Sequence, residues 1–166
     1  MRRACTPIAP ALTFCSRGVK NASGEEDRWL FASALAAGRD ASRVDEVLEL
    51  AFSGGLPSNI ATSIPGLVAR KSPFGERAYR FAKQRWHELA ALTGRQGRAW
   101  LLPGAAENFN QSEHASQLIA DQRDVAGPDG EATAARIAAR SELLAQIERR
   151  EGAALQKLLA DWRPTR

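Results

Sequence analysis

Few residues of this sequence have the types and spacing that catalysis requires. His87 and His114 are its only histidines, and His87 stands before Glu88 in the segment WHELAAL. A zinc-binding helix of the HExxH kind would carry a second histidine four residues after the first, and Ala91 occupies that position. We therefore interpret His87 as a partly exposed helical histidine, and we expect no metal site.

Other motifs for chemistry are equally incomplete. The segment GLVARKS, residues 66–72, is superficially similar to a phosphate-binding loop, but it lacks the glycine before Lys71 and no buried strand precedes it. Cys5 and Cys15 lie near the N-terminus without further zinc ligands nearby and without a sequence cue for a base partner. The sequence thus predicts a non-enzymatic protein without a cofactor. An enzyme with no recognisable motif is the remaining alternative.

Positive charge gathers in one segment. Between residues 70 and 98 there are eight basic residues, whereas Glu76 and Glu88 are the only acidic ones. Such a segment either forms a solvated helix face, which is the commoner case, or binds the phosphates of a nucleic acid. The candidates for nucleic-acid binding are Arg70, Lys71, Arg77, Arg80, Lys83, Arg95 and Arg98.

Composition limits the class of protein. The chain has 166 residues, of which 44% are hydrophobic and 25% charged, and its net charge is +4. These values are typical of a soluble globular domain, and the charge permits an acidic partner without requiring one. No segment approaches the roughly 20 apolar residues of a membrane span, and Pro7 and Pro10 interrupt the apolar start. We expect a cytoplasmic protein that does not enter a membrane.

Helical periodicity dominates the chain. We predict a mainly α fold, with a poorly ordered, flexible basic arm over residues 1–22, a compact multi-helix body over 23–126, and a break with a long C-terminal helix over 127–166. The centre of the body is a predicted helix over 72–93, which carries three aromatic residues and an apolar arc.

The other elements of the body are predicted from caps and breaks. Ser23 begins a helix through a capping box, and Ser42 opens the next one. Residues 56–71 are expected to form two short helical pieces, because Pro65 should kink or end a helix. Residues 95–110 are expected to be irregular, with Trp100 folded back onto the core, and a helix should follow through residues 112–122.

The long C-terminal helix is predicted over residues 131–162, after the strong break at Gly127-Pro128-Asp129-Gly130. It carries an apolar stripe that Arg140 and Glu151 interrupt. The stripe consists of Ile137, Leu144, Ile147, Leu155, Leu158 and Trp162. It either closes over the body or pairs with a protein partner or a second subunit.

Two functions are compatible with these features. The first is a helical interaction or assembly protein, adaptor-like or scaffold-like, that associates with itself or a partner through the C-terminal helix. On this hypothesis, deleting residues 131–166 leaves a folded body. The alternative is a nucleic-acid-binding helical protein that uses the segment 70–98. We prefer the first, because a long appended helix needs a docking surface whereas charged faces are common.

Overall fold

The structure, a computed structural model, describes residues 8–162, and within this range the chain forms helices and turns but no strand. The helices are α1 Ile8–Asn21, α2 Glu25–Ala36, α3 Ala41–Glu49, α4 Ser58–Lys71, α5 Gly75–Gln84, α6 Trp86–Ala91, α7 Arg95–Ala105, α8 Ser112–Asp121 and α9 Glu131–Asp161. A 3-10 turn follows α3 and a π turn follows α8. The prediction of a mainly α fold with a long C-terminal helix is confirmed. No helix in the described part of the chain is both long enough and apolar enough to cross a membrane.

The N-terminal segment differs from the expected arm, because residues 8–21 form α1. This helix packs against α2 and buries Val19. The contact is close: a Cβ atom on Gly18 would lie 2.6 Å from the ring of Phe31 in α2. The sequence prediction missed this helix because Pro7 and Pro10 were interpreted as interruptions, although Ile8, Leu12, Cys15 and Val19 recur at helical spacing. Residues 1–7, including Cys5, lie outside the described residues.

The cap residues of α2 and α3 differ from those predicted, Ser23 and Ser42. Gly24, not Ser23, occupies the cap position of α2, and no side chain accepts a hydrogen bond there. Asp40 caps α3, where its carboxylate accepts a 3.0 Å hydrogen bond from the backbone N–H of Ser42. Both helices begin within two residues of the predicted positions.

Prolines within helices account for two wrong predictions. Pro65 lies inside α4, which is one continuous helix of 14 residues rather than two pieces. Pro103 lies inside α7, which occupies most of the segment expected to be irregular. Both proline rings are fully buried. We attribute the tolerance to this burial, since the apolar contacts of the ring offset the hydrogen bond that proline cannot donate.

The predicted central helix is divided at Arg85. Its backbone (φ −102°, ψ 19°) is not helical, and it separates α5 from α6. Arg85 nevertheless keeps two helical backbone hydrogen bonds. Its N–H donates to the carbonyl oxygen of Phe81, and its carbonyl oxygen accepts from the N–H of Leu89. Ser72 ends α4 instead of starting the central helix. The predicted apolar arc is nevertheless the buried side, with Tyr79 among its members.

The last two long helices pack along each other, and α9 also contacts α7. The turn between α8 and α9 contains Gly127 (φ 68°) and Gly130 (φ 92°), which confirms the predicted break. A Cβ atom on Gly130 would lie 2.6 Å from the carbonyl oxygen of Ala99, so glycine is required there for both conformation and space. This close approach fixes the start of α9 against α7.

Candidate interaction surfaces

The first half of α9 belongs to the body. Its buried residues, which all precede position 146, are Ala134, Ile137, Ala138, Ser141 and Ala145. The hydroxyl of Ser141 donates a 3.2 Å hydrogen bond to the carbonyl oxygen of Gln111, just before α8. The hypothesis that residues 131–166 are separable from the body therefore places the boundary too early, because residues 131–145 form part of the packed structure.

The second half of α9 projects from the body. From Gln146 to Trp162 every residue is exposed except the partly exposed Gly152. At 1.5 Å per residue this part extends about 24 Å beyond the packed half. Its exposed large apolar residues are Ile147, Leu155, Leu158, Leu159 and Trp162, with exposed fractions between 45% and 70%.

These apolar residues share one side of the helix. At 100° per residue, Ile147, Leu155, Leu158, Leu159 and Trp162 fall within an arc of about 120°. Glu148 and Glu151 lie within the same arc. The three basic residues of the projecting half, Arg149, Arg150 and Lys157, lie outside it. We name these five apolar residues and two glutamates the α9 face; it is apolar, acidic and without a cation of its own.

The predicted partner stripe coincides with this face in four of its six residues. Ile137 is buried in the body, and Leu144 is half-buried. Ile147, Leu155, Leu158 and Trp162 are exposed on the α9 face. Leu159 was not in the predicted stripe, although its spacing of four residues from Leu155 places it on the same side.

The candidates for nucleic-acid binding do not form one free basic surface. Five of the seven lie within 4 Å of a carboxylate from another element. These pairs are Arg70–Glu107, Arg77–Asp45, Lys83–Asp121, Arg95–Asp129 and Arg98–Asp129. Lys71 and Arg80 are exposed and form no ion pair with any residue in the described range. The acidic partners come from distant segments, so the charge of residues 70–98 alone overstates the local positive potential.

Lys83 belongs to a buried polar cluster around Asp121, which is only 3% exposed. One carboxylate oxygen of Asp121 accepts 2.7 Å hydrogen bonds from Lys83 and Gln117, and the other accepts a 2.9 Å bond from the hydroxyl of Tyr79. Burial, followed by the charge of Asp121, raises the pKa of Tyr79 far above its usual range. Tyr79 is therefore a permanent donor. Its bond joins α5 to α8.

Arg85 also has a local role. Its guanidinium lies 4.2 Å from the centre of the Phe52 ring and forms ion pairs with Glu49 and Glu88. The bond to Glu88 raises the pKa of Arg85. The guanidinium therefore combines an aromatic contact with two carboxylate partners. This contact connects the α5–α6 junction to the turn after α3.

A second surface lies between α4 and α7. A groove of about 230 Å³ is lined by Thr62, Ser63, Gly66, Arg70, Gly97, Trp100, Leu101 and Gly104. Trp100 is 44% exposed, in contrast to its expected place against the core. The guanidinium of Arg136, from α9, lies 5.5 Å from the centre of the Trp100 ring. The sequence did not indicate this surface because α4, α7 and α9 contribute residues far apart in the chain.

Within the part of the chain that the structure describes, the two histidines and Cys15 are not grouped. His87 is exposed beside Trp86, and the ring of His114 packs 4.4 Å from that of Phe109. Cys15 is a partly buried free thiol. Among the residues that the structure describes, no three histidine, cysteine, aspartate or glutamate side chains are arranged to hold a metal ion.

Comparisons with known proteins found no protein-family model that matches this chain and no matching curated protein.

Proposed function

We propose that this protein is a non-enzymatic helical interaction protein that binds a protein partner through the α9 face. The observation that carries the proposal is the exposure of Leu158, Leu159 and Trp162, each about two-thirds exposed on one side of a projecting helix. Fully burying such a side chain stabilises a complex by about 1.5–3 kcal/mol. Exposed apolar side chains gathered on one side of a helix are typical of surfaces that mediate association.

The helix itself supports a docking role. An isolated helix as short as the projecting half of α9 is only marginally stable in water. In addition, Gly152 weakens the middle of this half. The packed half of α9 acts as a nucleus from which the projecting half continues. A partner that covers the α9 face would stabilise the part of the helix that buries no residue against the body.

The charges on the α9 face favour a particular partner chemistry. Glu148 and Glu151 lie among the apolar residues, and the Arg150 guanidinium reaches the Glu151 carboxylate from outside the face at 3.9 Å. A second copy aligned in parallel and in register would place Glu151 beside its own counterpart, which is unfavourable. We therefore expect an apolar surface on a different protein, with lysine or arginine residues opposite these glutamates.

Site-specific photo-cross-linking tests this proposal. A photoreactive amino acid at Leu158 should form a defined adduct with another protein in the cells that produce this chain. The matched control places the same group at Ala153, which is exposed on the opposite side of the helix. Adducts in equal amounts from both positions, or none from position 158, would contradict the proposal.

A charge variant provides a second readout. Leu155→Glu combined with Leu158→Glu should abolish the position-specific adduct formed from a photoreactive group at Ile147. The unfolding temperature should stay unchanged because neither leucine contacts the body. Light-scattering mass, measured alongside, distinguishes a different partner from a second copy. Loss of folding in this variant would show instead that the two leucines stabilise the monomer.

A further inference from the structure

The groove between α4 and α7 arises where two glycines bring the helices together. A Cβ atom on Gly66 would lie 3.3 Å from the carbonyl oxygen of Gly104. A Cβ atom on Gly104 would meet no atom within 4 Å. The helix backbones thus approach each other closely at Gly66, while the missing side chain of Gly104 leaves open space beside them.

The groove is lined by one aromatic residue, Trp100, and two arginines of α9 lie beside it but outside its lining. Arg136 lies over Trp100, and Arg140 donates a 3.2 Å hydrogen bond to the backbone carbonyl of Glu107. Neither arginine forms an ion pair with a carboxylate in the part of the chain that the structure describes. Arg70, which lines the groove, is bonded to the carboxylate of Glu107 at 2.7 Å. Arg70 and Arg140 therefore both contact Glu107, Arg70 at its carboxylate and Arg140 at its backbone carbonyl.

The remaining lining consists of Leu101, three glycines and two residues with hydroxyl groups. The hydroxyls of Thr62 and Ser63 donate to backbone carbonyls of their own helix, at 2.8 Å and 2.7 Å, so their oxygens stay able to accept hydrogen bonds. The volume of about 230 Å³ is below the range of roughly 300 Å³ and upward that is usual for drug-sized ligands. A single planar ring fits such a space better than an extended apolar chain does.

These features fit one class of ligand, which has an aromatic base and a phosphate. An exposed indole provides a stacking surface for a base, and arginine guanidinium groups bind phosphate with paired donors. The hydroxyl oxygens of Thr62 and Ser63 can accept hydrogen bonds from the amino group of a base or the hydroxyl groups of a sugar. We propose that the α4–α7 groove binds a nucleotide, with its base against Trp100 and its phosphate near Arg136 and Arg140. The nucleotide is either free or a unit of a single-stranded nucleic acid.

This site is independent of the proposed protein interaction, since it uses no residue of the α9 face. It also differs from the surface predicted from residues 70–98. Arg70 is the only residue common to the two. The anchoring side chains come instead from α7 and from the packed half of α9.

Isothermal calorimetry on the full chain tests the proposal with adenosine 5′-monophosphate, adenosine and a single-stranded adenylate of about eight nucleotides. We expect the monophosphate to bind with a Kd below about 1 mM, and adenosine to bind about tenfold more weakly or worse. An oligonucleotide that binds much more tightly than the monophosphate identifies single-stranded nucleic acid as the source. Equal affinities identify the free nucleotide. Absence of binding, or equal binding of adenosine and the monophosphate, overturns the proposal.

Matched variants locate the site. Trp100→Leu should weaken the monophosphate complex about fivefold or more, because base stacking on the indole is lost. Arg136→Gln should weaken it similarly and, as an exposed residue, should leave the fold intact. The controls are Trp162→Leu and Arg150→Gln, which change the same residue types on the projecting half of α9. Unchanged affinity in Arg136→Gln, or equal losses in the controls, overturns the assignment.

Discussion

The hydroxyl of Tyr79 in α5 donates a 2.9 Å hydrogen bond to the buried carboxylate of Asp121 at the end of α8. Lys83 and Gln117 also donate hydrogen bonds to this carboxylate. A buried carboxylate is costly unless hydrogen bonds and an opposite charge satisfy it, and here both are present. The cluster therefore holds the predicted centre of the body against the helix that supports α9.

The first prediction concerns the stability of this contact and its dependence on pH. Tyr79→Phe should lower the free energy of unfolding by about 1.5–3 kcal/mol near pH 8, since a bond to a charged acceptor is lost. Above pH 10 this difference should shrink. The raised pKa keeps Tyr79 protonated in the folded chain, whereas the unfolded chain loses this proton near its ordinary pKa of 10.0, which favours unfolding.

Urea unfolding of both proteins at pH 8 and pH 11 measures this effect. Tyr79 is the only tyrosine of the chain, so the ultraviolet absorbance of tyrosinate reports its ionisation directly. Parallel stability profiles for the two proteins, or tyrosinate absorbance in the folded protein near pH 10, would show that the buried contact does not hold the proton.

The second prediction compares two glycines with positive φ. Gly54→Ala should cost about 1–2 kcal/mol, the usual penalty for a left-handed backbone, since a Cβ atom there meets nothing within 4 Å. Gly130→Ala should cost clearly more, because its Cβ atom would also meet the Ala99 carbonyl in α7. Thermal unfolding of the two variants isolates the contact between α7 and the start of α9. Equal losses would show that this contact can relax.

The sequence was sufficient to predict α9, because its start depends on local rules. Gly127 and Gly130 provide the break, and the apolar spacing continues for many turns afterwards. The packing of its first half was not predictable, because the same stripe serves both the body and the exposed face. The positions of α7 and α8 decide that Ile137 is buried and Leu158 is not.

Elements that depend on tertiary contacts were the ones missed. Pro65 and Pro103 are strong local breakers, yet burial of their rings in the core outweighs the lost backbone hydrogen bonds. The charge around the basic segment also depends on tertiary contacts. Asp45, Asp121 and Asp129 neutralise it from elements that are distant in the chain, so segment charge alone gives no measure of surface potential.

The third prediction places the boundary of the body within α9. A chain that ends at Arg150, and so keeps the 3.2 Å hydrogen bond from Arg149 to Ser112, should keep its unfolding free energy to within about 0.5 kcal/mol, because no residue beyond Ala145 is buried. A chain that ends at Gly130 loses Ile137 and its buried neighbours and should be destabilised by more than about 4 kcal/mol. Circular dichroism during thermal unfolding compares the two. Equal stability of the two truncated chains would show that the whole of α9 is separable from the body.

The fourth prediction addresses duplex DNA binding by residues 70–98. Arg77 is unsuitable for a charge-reversal test, because a glutamate there would face its present partner Asp45 and destabilise the fold. Lys71 and Arg80 are the informative positions, since both are exposed and unpaired within the described range. Lys71→Glu combined with Arg80→Glu should leave both stability and nucleotide affinity unchanged. If the wild type binds a duplex at low salt and this variant does not, the basic segment is a nucleic-acid surface after all. If neither protein shows salt-sensitive binding, the ion pairs around the segment explain its charge.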